Sequence, residues 1–331
     1  MKKNNFLNIF AYLVCCVTLI ISFHFNEDGS YTPLSGDFRD TWPYVLSLKN
    51  NILSDPTGYT VHYPLHYFLL SRLSFILSDP TAIRFFVMLI AMTIPYIFYK
   101  VLKKIHIERD KKILFLISLC IFFIPAYRYS AIWANDRITT DIFILAGTYY
   151  FYSFQKSKVE VKSLYISLLF FALACYSRQF YSLYYGIFLI YIFNNCSFKN
   201  FLNFAGYSFI LALPGFYLLF KLPHFFTGLS LSGNIFNTLL GNVSSLFVYT
   251  LPIILINFFI QKKNIFNIKK IFFYSIVCLA VFVLAFIYHD IETMGQNGGA
   301  FYIFSNLIFK NYFAFYFVFI LNFIIILIIF D

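Results

Sequence analysis

Long apolar runs separated by short polar breaks make up most of the chain. A run of roughly 17–25 apolar residues is needed to cross a bilayer core of about 30 Å as a helix. Segments 6–23, 82–102, 113–127, 139–155, 164–177, 181–195, 201–220, 241–260, 271–288 and 312–330 fit that reading, the shortest as helices partly shielded by protein. The pattern predicts an all-α, polytopic transmembrane helix bundle of about ten spans. Segment 181–195 is short enough to be a half-span. The opening MKKNN followed by 6–23 resembles a signal sequence without a small-x-small cleavage site, so an uncleaved signal anchor is expected. No fixed-period repeat and no soluble domain at either end is expected.

The pattern breaks between 24 and 81. This stretch carries Glu27, Asp28, Asp37, Asp40 and Asp55 ahead of Asp79, together with His24, His62 and His66. Inside it, 63–78 is apolar enough to cross but contains Arg72 and opens at Pro64. Loop charges decide its placement. If 63–78 crosses, the Lys-rich loop 100–112 faces outward, against the excess of Lys and Arg in inner loops. If it lies in the interface as an amphipathic helix, then 1–3, 100–112, 156–162, 199 and 262–270 all face inward, as do both termini. The expected organisation is one integral-membrane domain over 1–331. Residues 24–81 form a long first extracytoplasmic loop with juxtamembrane helices, and 82–331 form the transmembrane bundle.

Composition agrees. Of 331 residues, 60% are hydrophobic and 12% charged, with a mean hydropathy of +0.75; soluble domains carry about 25% charged residues. The net charge of +11 would suggest nucleic acid on a soluble chain. Here the lysines sit in short loops between apolar runs, so topology explains the charge and no nucleic-acid partner is expected. The six cysteines form no CxxC pair and lie mostly in apolar runs, where they read as small packing residues.

Charge type is sorted as well as charge sign. In this topology every inward cation except Arg109 is a lysine, whereas Arg39, Arg72, Arg84, Arg128, Arg137 and Arg178 share the outer face with most carboxylates and histidines. Arginine grips phosphate through a fork of donors, so an anionic ligand on the outer face is expected.

The polar constellations refine this. Asp37 and Asp40 flank Arg39 at a spacing that shares one helix face. They suit a general base or, with a phosphate, a divalent cation such as Mg²⁺ or Mn²⁺; a capped helix start is the structural alternative. His62 and His66 have i, i+4 spacing but no HExxH glutamate and no third ligand, so they are read as donors to a phosphate or sugar hydroxyl rather than as a metal site. The run from Arg128 to Asp141 holds Asp136 and Arg137 at a span end, for mutual ion pairing or a phosphate grip. Arg178-Gln179 sits between two apolar runs. A later outer loop, His289 to Glu292 followed by Gly295–Gly299, is read as a flexible cap over a cavity. There is no Walker A, GxSxG or kinase motif. Midplane charges are too sparse for an ion-coupled transporter, and no filter-like loop suggests a channel.

These residues resemble the GT-C superfamily of multi-spanning glycosyltransferases, in particular the dolichyl-phosphate-glucose alpha-1,2-glucosyltransferase family. Asp40-Thr41 stands where that family has an Asp-Glu pair. Tyr59 to Tyr67 resembles its TTPPGLY-like stretch, with Tyr63 at one proline position, and Arg178-Gln179 resembles its Arg-Gln motif. Pro125 to Asp136 is similar to the polar span end of related bacterial members. The resemblance covers roughly 1–195. It implies a polyprenyl-phosphate sugar donor, a cell-surface glycan or lipid-linked oligosaccharide acceptor, and inverting transfer outside a bacterial inner membrane. In that mechanism Asp40 or Asp37 is the base. Arg39, His62, His66, Arg128, Asp136, Arg137, Arg178 and Gln179 bind substrate, with no required metal. A surface-polysaccharide polymerase of the O-antigen type is the nearest alternative, and a lipid-linked oligosaccharide flippase or transporter the next.

Overall fold

The computed structural model describes residues 2–26, 36–57, 59–60, 62–107, 109–157 and 161–222. They fall within one compact unit, Met1–Ser230. The expected spans 241–260, 271–288 and 312–330, and the loop 289–299, lie outside the described residues.

Every regular element among the described residues is helical. In chain order these are α1 (Lys2–His24), α2 (Gly36–Asn50), α3 (Leu65–Leu73), α4 (Pro80–Ala91), α5 (Ile94–Ile105), α6 (Lys111–Leu119), α7 (Pro125–Ile132), α8 (Asp136–Ser157), α9 (Val161–Ser177), α10 (Ser182–Asn195) and α11 (Phe198–Lys221). Short 3₁₀ turns occupy Cys120–Phe123 and Gln179–Tyr181.

Three helical stretches among these are long and apolar enough to cross a membrane: Leu7–His24, Pro80–Ile105 (α4 and α5 together) and Phe198–Lys221. A fourth forms if Lys111–Phe123 and Pro125–Ile132 count as one span bent by 66°. The bend has a local cause. Pro125 pushes the preceding residue out of the helical region, and Ile124 is extended at φ −81°, ψ 113°. The expected span 113–127 is therefore two helices, the second running on to Ile132. Segments 139–155 and 164–177 lie inside α8 and α9, of 22 and 17 residues, and 181–195 corresponds to Tyr181 of the 3₁₀ turn followed by the 14 residues of α10. At 1.5 Å per residue α10 is about 21 Å long, well short of a bilayer core.

The ends of these helices follow sequence signals. Asp79 caps α4, accepting from the N–H groups of Thr81 and Ala82 at 3.1 and 3.3 Å, with Pro80 in the first turn. Asp110 caps α6 through the Lys112 N–H. Two apolar clusters organise the packing. The first joins α1, α2, α3, α4 and α7 around Leu19, Phe38, Tyr44, Leu48, Met88 and Trp133. The second joins α8, α9, α10 and α11 around Phe151, Leu168, Phe171 and Phe204. Outside the clusters, α1 exposes Leu7, Phe10, Leu13 and Val17, and α11 exposes Phe209, Ile210 and Phe220. Those are the faces a bilayer would cover.

The segment 63–78 yields only nine residues of helix, α3, about 14 Å long. α3 packs against α2. Arg72 Nη2 donates to Leu48 O at 3.1 Å and Lys49 Nζ to Ser74 O at 2.9 Å, so each helix supplies a cation to a carbonyl at the end of the other.

Candidate functional site

The site is built on the turn between α7 and α8. Trp133 and Ala134 leave the helix, and Ala134 adopts φ 49°, a left-handed conformation that costs an alanine roughly 1–2 kcal/mol. Neighbouring bonds hold it there. His66 Nε2 donates to Ala134 O at 2.7 Å, while His66 Nδ1 is 2.8 Å from Thr139 Oγ1. A carbonyl only accepts, so Nε2 carries the proton, and in the neutral ring Nδ1 accepts from the threonine hydroxyl. His66 is 1% exposed. Burial lowers its pKa below the ordinary 6.5, against the opposing pull of Asp136. Both ring nitrogens of His66, expected to contact a substrate, are engaged within the protein, where they pin α3 to this turn. The i, i+4 spacing to His62 makes no helical pair, because His62 precedes α3.

Asn135 caps α8, its Oδ1 accepting from Arg137 N at 3.1 Å. Asp136 opens the helix, where the dipole favours a carboxylate, and is fully buried. Its partner is neither Arg128 nor Arg137 but Arg178, just past the end of α9. Arg178 Nε and Nη2 reach Asp136 Oδ1 at 2.9 and 2.8 Å, and Nη2 also reaches Asn135 Oδ1 at 3.2 Å. The other carboxylate oxygen, Oδ2, makes no hydrogen bond among the described residues and faces His62 Nε2 at 3.9 Å.

Arg178 and Arg137 then line one cavity of about 350 Å³, with Tyr129, Ser130 and Asn135. Arg137 makes no side-chain hydrogen bond or ion pair among the described residues. Its fork remains available, whereas Arg178 is held in place. Gln179, next in sequence, lines a second cavity of about 320 Å³ with Tyr63, Tyr176, Tyr185 and Phe216. Tyr63 stacks on Tyr176 at 6.3 Å and reaches Gly215 O at 3.4 Å. The Tyr176 hydroxyl sits between two backbone groups one helical turn apart in α11, accepting from Gly215 N at 3.0 Å and donating to Leu211 O. Pro214, within α11, removes a donor at this point.

The remaining expected residues lie elsewhere. Arg39 and Asp40 pair with each other at 3.1 Å on the exposed face of α2, and no contact joins them to the Asp136–Arg178 cluster among the described residues. Asp37 lies in the first turn of α2, and its side chain lies outside the described part. Arg128, expected to bind substrate, is not among the residues lining the cavity of Arg137 and Arg178. Its guanidinium reaches Phe122 O at 3.1 Å, Thr18 Oγ1 at 3.4 Å, Thr18 O at 3.3 Å and the Ser22 hydroxyl, fastening α7 to α1.

Sequence reasoning did not single out Asn135, Tyr176 or Thr139. Asn135 had a legible signal, an amide residue before an acidic helix start. Arg84, expected on the outer side of the membrane, is 1% exposed; it lies 3.7 Å over the Trp133 ring and donates to Ile132 O at 3.0 Å. No family model, curated protein or solved structure matches the chain.

Proposed function

We propose that this protein is a GT-C-type membrane glycosyltransferase. In this reading it moves a sugar from a polyprenyl-phosphate donor to a cell-surface glycan or its lipid-linked precursor, outside a bacterial inner membrane. The observation that carries the reading is the pairing of cavities. Two guanidinium groups, one anchored by a buried carboxylate, line a cavity the size of a small anion-bearing headgroup. Gln179, next to Arg178 in sequence, lines a second, mainly apolar cavity edged by aromatic rings, among helices with bilayer-compatible faces. An amphiphile with an anionic head suits that pair.

The step is a single displacement. The acceptor hydroxyl oxygen attacks the anomeric carbon, and the bond from that carbon to the phosphate oxygen breaks. The lipid phosphate leaves with the electron pair and is stabilised by Arg137 and Arg178. Asp40 or Asp37 takes the hydroxyl proton; the Asp40 carboxylate is exposed, and so accessible to an acceptor. The anomeric centre inverts. A divalent cation at Asp37 and Asp40 is not needed for charge balance, since guanidinium groups can neutralise the phosphate.

The test uses Arg137→Ala, because the Arg137 side chain makes no hydrogen bond or ion pair among the described residues, its charge acting on the fold through the electrostatics of Asp141. A strain lacking the protein is complemented with wild type, Arg137→Ala or Asp40→Asn, and surface glycan and lipid-linked intermediates are analysed by mass spectrometry. The expected result is a glycan lacking one sugar, restored by wild type. Arg137→Ala is expected to slow transfer roughly 10²–10³-fold at normal protein abundance. Complete repeat units left unpolymerised on lipid would instead identify a polymerase.

A further inference from the structure

A second charged feature lies away from this site and is independent of the proposed reaction. Residues 100–112 hold six cations (Lys100, Lys103, Lys104, Arg109, Lys111 and Lys112) against two carboxylates, Glu108 and Asp110. Asp110 is occupied in part by capping α6. The end of α5 and the start of α6, joined by residues 106–110, bring these lysines to one end of two neighbouring apolar helices. No carboxylate lies within ion-pair distance of the five lysines among the described residues.

Orientation in the membrane needs only that lysines be present in the loop. The structure shows more order than that. Lys100 Nζ lies 5.0 Å over the Tyr96 ring, Lys103 Nζ 5.7 Å over Tyr99, and Lys104 Nζ 5.5 Å over Tyr149 of α8. Each ring supports an ammonium group, and Tyr96 is itself half exposed, as in an interfacial aromatic belt. These tethered cations stand beside tyrosines at the end of a helical stretch long and apolar enough to span, with no carboxylate in ion-pair distance among the described residues. We propose that this end of α5, α6 and α8 binds the phosphate of anionic bilayer phospholipids. Lys100, Lys103 and Lys104 form the ordered part of that surface, and Lys111 and Lys112 the outer part.

The full chain is purified in mild detergent, exposed to phosphatidylglycerol and to phosphatidylcholine of the same acyl chains, and washed; retained lipid per protein is then measured. Wild type is expected to retain phosphatidylglycerol selectively, less so at high salt. Lys100→Gln/Lys103→Gln/Lys104→Gln is expected to bind it on the order of 100-fold more weakly, and the corresponding triple Lys→Arg variant to keep it. If the triple Gln variant does not purify, each single Gln variant is expected to lose roughly fivefold. Equal retention of both lipids by wild type overturns the proposal. So does undiminished phosphatidylglycerol retention by the Gln variants, including the case where they invert the helix orientation in cells, since the lysines would then serve topology alone.

Discussion

At the residue scale, the Asp136–Arg178 pair and His66 show two ways of burying a polar group. Asp136 is stripped of water but holds two guanidinium bonds on one oxygen. Removing either partner would leave a buried charge unpaired, typically a loss of 3–5 kcal/mol. That cost is why Arg137, not Arg178, is the informative substitution for function. His66 is buried neutral. Its folded pKa is depressed by burial, and of the charged groups acting on it Asp136 raises the pKa while Arg178 lowers it. The unfolded chain therefore binds the proton more readily. Stability from His66 is complete above the unfolded value of about 6.5 and is lost as pH falls from there toward the folded pKa. The apparent Tm of the wild type in detergent is expected to be level above about pH 7 and to drop toward pH 5. His66→Gln, which keeps a donor and an acceptor but does not titrate, is expected to start lower and to lose less over the same interval. Parallel Tm–pH curves for the two proteins would remove His66 as the cause.

At the element scale, the helices were more legible than their breaks. The apolar runs at 6–23, 82–102 and 201–220 correspond closely to helices long enough to span, because a continuous apolar run tolerates little ambiguity. The bend at Pro125 escapes the apolar pattern, because an apolar count does not register the backbone change a proline imposes. In the site, Asp136, Arg178 and His62 could each be picked out, but their assembly could not. The partner of Asp136 lies 42 residues away across the α8–α9 pair, and sequence reasoning favours the nearer Arg137 or Arg128. Close approach of α8 and α9 explains how that partner arrives. Gly147 faces the Phe171 ring, and a Cβ there would come within 2.7 Å of it. The ring cannot easily withdraw, since it stacks on Phe188 at 4.0 Å, and Ser167 donates to Gly147 O at 2.8 Å. In lipid, where helices associate by packing rather than by water exclusion, such small-residue contacts matter most. Gly147→Ala is expected to destabilise the protein by about 1–3 kcal/mol, read as a lowered apparent Tm. Gly147→Ala/Phe171→Leu is expected to recover part of that loss; no recovery would mean the helices are not held by this contact.

At the scale of the whole molecule, the question is whether the polar stretch 24–81 lies on one side of the membrane. Orientation rests on loop charges, and it changes if 63–78 crosses. The structure bears on this through length. α3 has nine residues, about 14 Å, less than half of a bilayer core of about 30 Å. The turn after it tightens, with Phe75 and Ile76 donating to Arg72 O and Leu73 O, and its last helical bond is from Leu77 N to Leu73 O, so even with this turn the segment stays at about 20 Å, short of a bilayer core. The reciprocal bonds between Lys49 and Ser74 and between Arg72 and Leu48 hold the end of α3 against the end of α2. A chain tied in this way returns to the level it left. In a variant lacking the six native cysteines, Ser54→Cys and Ser78→Cys are therefore expected to react with a membrane-impermeant maleimide from the same side. Lys112→Cys, beyond the Pro80–Ile105 span, is expected to react only from the other. Labelling of Ser54→Cys and Ser78→Cys from opposite sides would make 63–78 a crossing segment. It would also reverse the side of the Lys-rich loop relative to the first loop and separate the arginine cavity from Asp37 and Asp40.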